Sequence, residues 1–134
     1  MISHSKPTWS KTRRFSVWAV SPLAIWLIYW GIALRPVKFD RDIWLHPEQV
    51  NPLGQSPRLR MADWLIAKSA LHGLSKNQVL AMLGPETETK KFRSEFDAVY
   101  WLGNERGLMP IDSEWLGIKF DHSGMVSSAT ILRD

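Results

Sequence analysis

The sequence predicts an α+β fold: two short helices packed on a three-stranded antiparallel sheet (ααβββ), preceded by an N-terminal transmembrane helix. Three features carry that expectation. Residues 15–34 are free of charge, residues 58–83 repeat apolar positions at helical spacing, and beyond residue 98 the apolar period falls to two. The implied boundaries are a basic N-terminal segment at 1–14, the membrane helix at 15–34, a Pro-rich linker at 35–57 and the α+β domain at 58–134.

The first element is FSVWAVSPLAIWLIYWGIAL, Phe15 to Leu34. As one helix it would run about 30 Å, the thickness of a bilayer's hydrocarbon core. Trp18 near one end, and Tyr29 and Trp30 near the other, suit the aromatic interfacial belt. Pro22 falls near the beginning, where membrane helices tolerate it. A helix apolar on every face would otherwise need more protein around it than this small domain supplies. Retention as an anchor is therefore expected. The alternative is a cleaved signal peptide with Gly31 and Ala33 as the small pair, although the apolar run is longer than usual and Tyr29 and Trp30 crowd the site. Lys6, Lys11, Arg13 and Arg14 precede the segment, while Arg35, Lys38 and Arg41 follow it. Because Arg13 and Arg14 abut the boundary, the expected topology is a single-pass inner-membrane protein with its C-terminal domain periplasmic. Cleavage near Ala33 would instead release a secreted protein.

Residues 35–57 carry Pro36, Pro47, Pro52 and Pro57 with Gly54, punctuation that reads as an extended linker. Within it, Ile43, Trp44 and Leu45 are expected to lie on the domain as a short strand or a hydrophobic staple. Met61, Trp64, Leu65, Lys68 and Leu71 then predict a helix over 58–71, ended by His72-Gly73. A second helix over 76–83 is spelled out at both ends. Ser75 and Gln78 form a capping-box pair, Gly84 suits a left-handed C′ position, and Pro85 stops the helix. Val79, Leu80, Met82 and Leu83 give it an apolar face.

The charged, aperiodic 85–97 stretch reads as a loop, and AVYWLG (98–103) as the first strand. EWLGIKFD (114–121) alternates Leu116, Ile118 and Phe120 against Trp115 and Lys119. DHSG (121–124) is a turn in which Gly124 is free to take positive φ, and MVSSATIL (125–132) is the hairpin partner. A three-stranded meander has one face to bury, which two amphipathic helices can cover. A helix this short is marginal alone, so caps worth about 1 kcal/mol each help decide whether it forms.

Composition removes several function classes. The net charge of +4 sits in the first 57 residues, and 58–134 is neutral, so the domain lacks the basic face a nucleic-acid binder needs. There is no cysteine, hence no disulfide, thiolate site or Cys nucleophile. His4, His46, His72 and His122 show no ligand spacing, and no metal or cofactor is expected. Asp121, His122 and Ser123 share letters with a triad but sit in a tight turn, where their side chains diverge. Asp112, Glu114 and Asp121 read as a solvated sheet edge, and Asp63 as part of a charged helix face. Catalysis and a small-molecule substrate are not expected. The exposed candidates are aromatic: if Tyr100 and Leu102 face the helices, then Val99, Trp101 and Trp115 share the opposite, uncovered face. There they form a candidate protein-binding patch, or alternatively a cross-strand pair that steadies the sheet or is buried beneath the 104–113 loop.

The run LHGLSKNQVLAMLGPE, followed by YWLG and LGIKFDHSGMVSSATIL, resembles the SmpA/OmlA domain, the fold of the outer-membrane assembly factor BamE. The residues that carry the likeness are Gly73, Val79, Leu83, Gly84 and Pro85, then Tyr100, and finally Phe120, Asp121 and Gly124, over about 58–132. The resemblance implies two helices on a three-stranded sheet, a non-enzymatic role and an envelope location. The lipidated cysteine of that family is absent, and a transmembrane anchor would keep the chain in the inner membrane, away from outer-membrane barrel assembly. The expected function is a membrane-anchored protein-binding or scaffold domain with an envelope protein as partner. The alternative is an inhibitor or sensor domain that binds one soluble enzyme or ligand.

Overall fold

The computed structural model describes residues 21–33, 35–47, 55–106 and 111–134. They fall into two units, one ending at Ala33 and the other beginning at Leu34.

In the first unit, helix α1 spans Pro22–Ala33, 12 residues or about 18 Å. This corrects the expected transmembrane helix over 15–34: no helix among the described residues is long and apolar enough to cross a membrane. The physical reason lies in Pro22. Proline has no N–H to donate and its fixed φ suits the first helical position, where the described helix opens. Ser21 caps that start, accepting the Leu23 N–H on Oγ at 3.3 Å and the Ile25 N–H on its carbonyl at 3.1 Å. Residues 15–20 of the expected span lie outside the described residues. Helix α1 exposes Leu23, Ile25, Trp26, Leu27 and Ile28, and Trp26 meets Trp30 edge to face at 5.9 Å.

The second unit contains the expected sheet. Strands β1 (Ala98–Asn104), β2 (Ser113–Phe120) and β3 (Val126–Arg133) form an antiparallel meander in the order β1-β2-β3. The turn between β2 and β3 is held by Asp121, whose Oδ1 accepts the N–H groups of Ser123 and Met125, with Gly124 at φ 75°.

Among the described residues three helices, not two, belong to this unit. The Pro-rich stretch read as a linker contributes α2 (Arg41–Leu45), capped by Asp40 Oδ1 on the Ile43 N–H at 3.1 Å. Trp44 makes it part of the core. Its side chain is fully buried, its Nε1–H donates to the Leu83 carbonyl at 3.0 Å, and its ring lies 5.7 Å from Phe39 and 6.4 Å from Tyr100. Arg58 stacks over that ring at 5.3 Å and donates to the carbonyls of Trp44 and Trp101, tying α2 to the first strand.

Helix α3 runs from Pro57 to Ala67 and stops four residues before the expected end at Leu71. Ser69 takes φ 49°, the Ser69 N–H bonds the Ile66 carbonyl, and the Ala70 N–H reaches back to Leu65, which closes the helix as a Schellman turn. Helix α4 (Lys76–Leu83) follows its sequence closely. Ser75 and Gln78 exchange both capping-box hydrogen bonds, at 2.8 and 3.3 Å. Gly84 ends the helix at φ 77° and lies tight against Leu45, where a Cβ would stand 2.8 Å from the leucine Cδ2; Pro85 follows. Leu59, Met61, Leu65, Leu71, Val79 and Leu83 meet Tyr100, Leu102, Leu116, Ile118 and Val126 in one core on the helix side of the sheet.

Candidate interaction surface

The strand alternation that sends Tyr100, Leu116 and Ile118 into the core sends Val99, Trp101, Trp115 and Gly117 to the other face. Trp101 pairs directly with Trp115 across the strands, and Val99 with Gly117. The face is not open. Val99 is fully buried and Trp115 is 7% exposed, with only Trp101 half-buried. The expected patch of Val99, Trp101 and Trp115 is therefore corrected: the 85–97 stretch folds over it. Phe92 meets Trp115 edge to face at 6.2 Å, Lys91 lies over the same indole at 5.9 Å, and Phe96 packs on the bare backbone of Gly117. Lys91 also bonds Asp134, which fastens the flap to the end of β3. Residues 107–110 of the 104–113 loop, the other expected cover, lie outside the described residues. The indole N–H of Trp115 is buried beneath it without a hydrogen-bond partner among the described residues.

The flap closes one sheet edge as well. The Thr87 N–H donates to the Val99 carbonyl at 2.9 Å, and Thr87 Oγ1 accepts the Trp101 N–H at 2.9 Å, so the outer side of β1 is occupied.

At one end of the sheet a charged cluster forms that the sequence did not reveal. Arg106 donates to both oxygens of Glu114, at 2.6 Å to Oε2, and to Asp63 on α3. Arg133 reaches Glu105 at 3.1 Å and Glu114 at 3.6 Å. Glu114 is fully buried. Burial works against its charge, but the Arg106 hydrogen bonds and the charges of Arg106 and Arg133 outweigh that cost and hold the carboxyl below its ordinary value. Burial also disfavours the Arg106 charge, and its bonds to Glu114 and Asp63 more than compensate, so its proton is held more tightly than usual. Asp63 thus belongs to a network and not to a solvated helix face, and Glu114 is no solvated edge residue. The guanidiniums of Arg106 and Arg133 and the carboxylates of Asp63, Glu105 and Glu114 bond one another and form a structural clasp between α3 and the end of the sheet.

The remaining edge, β3, is treated differently. Its first residue is paired on the outside: Val126 accepts from the Gly73 N–H at 3.0 Å and donates to the Leu74 carbonyl at 2.8 Å. At the other end Asp134 turns inward and donates to Ser113. Bonding residues alternate in an antiparallel ladder, so Leu132, Thr130 and Ser128 also face β2, and Ala129, Ile131 and Arg133 turn their N–H and C=O groups outward. The shift of register between Lys119 and Phe120 inserts Ser127 and reconciles this count with Val126. Among the described residues nothing bonds those outward groups. Beside them opens a groove of about 260 Å³ between the end of α3 and β3, with Leu65, Ile66, Leu71 and Ala129 as apolar lining and Ser69 and His72 among its polar lining.

Among the described residues no group of His, Asp and Glu is placed to hold a metal ion. No family model, curated protein or solved structure matches the chain.

Proposed function

We propose that the chain is a non-catalytic protein-binding module of the cell envelope, of the SmpA/OmlA kind, which takes its partners on the open edge of β3. The observation that carries this reading is the asymmetry of the sheet. One face is filled by helices, the other by the 85–97 flap, and the β1 edge by Thr87, while β3 keeps a row of backbone groups unpaired among the described residues, beside an apolar groove. Such an edge is a template for an added strand, in which main-chain hydrogen bonds supply affinity and alternate side chains supply specificity. The ionisable groups that the fold brings together are engaged with each other, which favours binding over chemistry. The apolar surface of Leu23, Ile25, Trp26, Leu27 and Ile28 supports a setting at a lipid surface.

The test is site-specific photo-crosslinking of the full chain in intact cells. A photoreactive residue at Ser128 or Thr130, both exposed on β3, is expected to give discrete protein adducts, and one at Lys90 on the flap is not. Equal labelling at all three positions, or none at β3, would end the reading.

A further inference from the structure

The edge of β3 also fits one specific occupant. We infer that two copies of this chain pair antiparallel through β3, about a two-fold axis at Thr130, and so join their sheets into one of six strands. The inference rests on the protein-binding reading and names its partner.

Three properties of the strand point to a second copy. The first is hydrogen-bond parity. A two-fold axis perpendicular to a sheet relates edge strands antiparallel. With the axis at Thr130, Ala129 lies opposite Ile131 of the other copy, and both turn their backbone groups outward, as a bonded pair requires. Thr130 meets its own counterpart as a non-bonded pair, and its backbone stays engaged with Gly117 of β2. An axis moved by half a residue would set outward-facing groups against inward-facing ones and lose the ladder.

The second property is charge. From Val126 to Leu132 the strand carries no ionisable side chain, so it lacks the lysines and inward charges that protect an edge from pairing. Arg133 falls opposite Ser127 in this register, and its guanidinium is already neutralised by Glu105 and Glu114. A parallel arrangement would instead place arginine beside arginine.

The third is shape. Ala129 and Ile131 both point to the helix side, where each packs at the margin of the core. The small Ala129 leaves open the groove lined by Leu65, Ile66 and Leu71. An isoleucine arriving opposite Ala129 is delivered to that groove, twice over by symmetry. On the other face Thr130 meets Thr130 and Ser128 meets Leu132, a surface without like charges.

The chain has no cysteine, so a single introduced thiol reports the register directly. In the full chain, purified in a mild non-ionic detergent, Thr130→Cys is expected to form a disulfide-linked dimer under mild oxidation. Directly opposed non-bonded positions lie within disulfide reach. Ser128→Cys and Leu132→Cys set the two thiols four residues apart along the strands, beyond that reach, and are expected to stay uncrosslinked. Thr130→Lys puts two ammonium groups on the axis of an exposed position, and it is expected to weaken the dimer about fivefold in sedimentation while the melting curve is kept.

A monomeric chain overturns the inference, as does equal crosslinking at 128, 130 and 132, or a dimer indifferent to Thr130→Lys. If the chain is monomeric yet photo-crosslinkers on β3 still capture a different protein, self-pairing falls and the protein-binding reading stands. If the edge captures neither, both fall.

Discussion

Phe96 rests its ring on the bare backbone of Gly117, on the sheet face opposite the helices: a Cβ at position 117 would stand 2.7 Å from the ring's Cδ1 and 2.7 Å from Cδ1 of Leu132. That close approach lets the 92–96 part of the flap lie flat over Trp115. Gly117→Ala is therefore expected to destabilise the domain by about 1–3 kcal/mol through overpacking. The Phe96→Ala background removes one of the two clashes, so the penalty of Gly117→Ala should shrink there. A double-mutant cycle of urea midpoints measures the coupling, and simple additivity would show that the flap does not press on Gly117.

Trp115 lies beneath the same flap with its indole N–H unbonded among the described residues. An orphaned buried donor costs about 1–3 kcal/mol, which a phenylalanine would not carry. Trp115→Phe is expected to keep most of the stability, because the lost ring area is offset by relief of that donor. Trp115→Ser should cost about 3–5 kcal/mol by emptying the site under Phe92. Thermal melts of the two variants decide the matter; equal losses would mean that the indole N–H is satisfied in solution.

Glu114 gives the fold an acid limit. Its carboxyl is held below the ordinary 4.5 in the folded chain by Arg106 and Arg133, despite burial. A depressed folded value means that the unfolded chain takes up the proton first. The stabilisation is present above pH 4.5 and is lost as pH falls through the lower, folded value. Glu114→Gln should flatten this acid limb and also destabilise at neutral pH, by about 3 kcal/mol, since Arg106 then loses a charged partner in a buried place. Urea melts between pH 3 and 7 measure both effects.

Tyr100 gives an alkaline limit of the opposite sense. Burial first, and the nearby charge of Glu86 second, push its hydroxyl up to about 12, and its O–H donates to the Gly84 carbonyl at 3.1 Å. A raised folded value keeps the proton on the native state, so stability is intact below the ordinary value of 10.0 and falls as pH rises toward 12. In a Tyr29→Phe background, tyrosinate absorbance of the folded chain should rise only near pH 12. A transition at the ordinary value would place the ring in water.

The sequence by itself determined the meander, the α4 helix and the turn at Gly124, because those elements are written locally. A capping box, a period of two and a glycine at a turn act within a few residues of themselves. It also marked Trp101 and Trp115 as facing neighbours, which the register confirms. Tertiary structure alone decided what covers them, since nothing in the charged 85–97 stretch shows that Phe92 and Phe96 fold back onto the sheet. It likewise gave Trp44, expected on the domain in a short strand or staple, a helix and a fully buried place in the core, and gathered Asp63, Arg106, Glu114 and Arg133 from four separate segments. The long apolar run at 15–34 suggested one membrane-spanning rod, whereas the described helix opens at Pro22, where the missing N–H favours a helix start. Contacts between residues far apart in the chain depend on side-chain shape and burial, and a periodicity read along one segment carries no information about either.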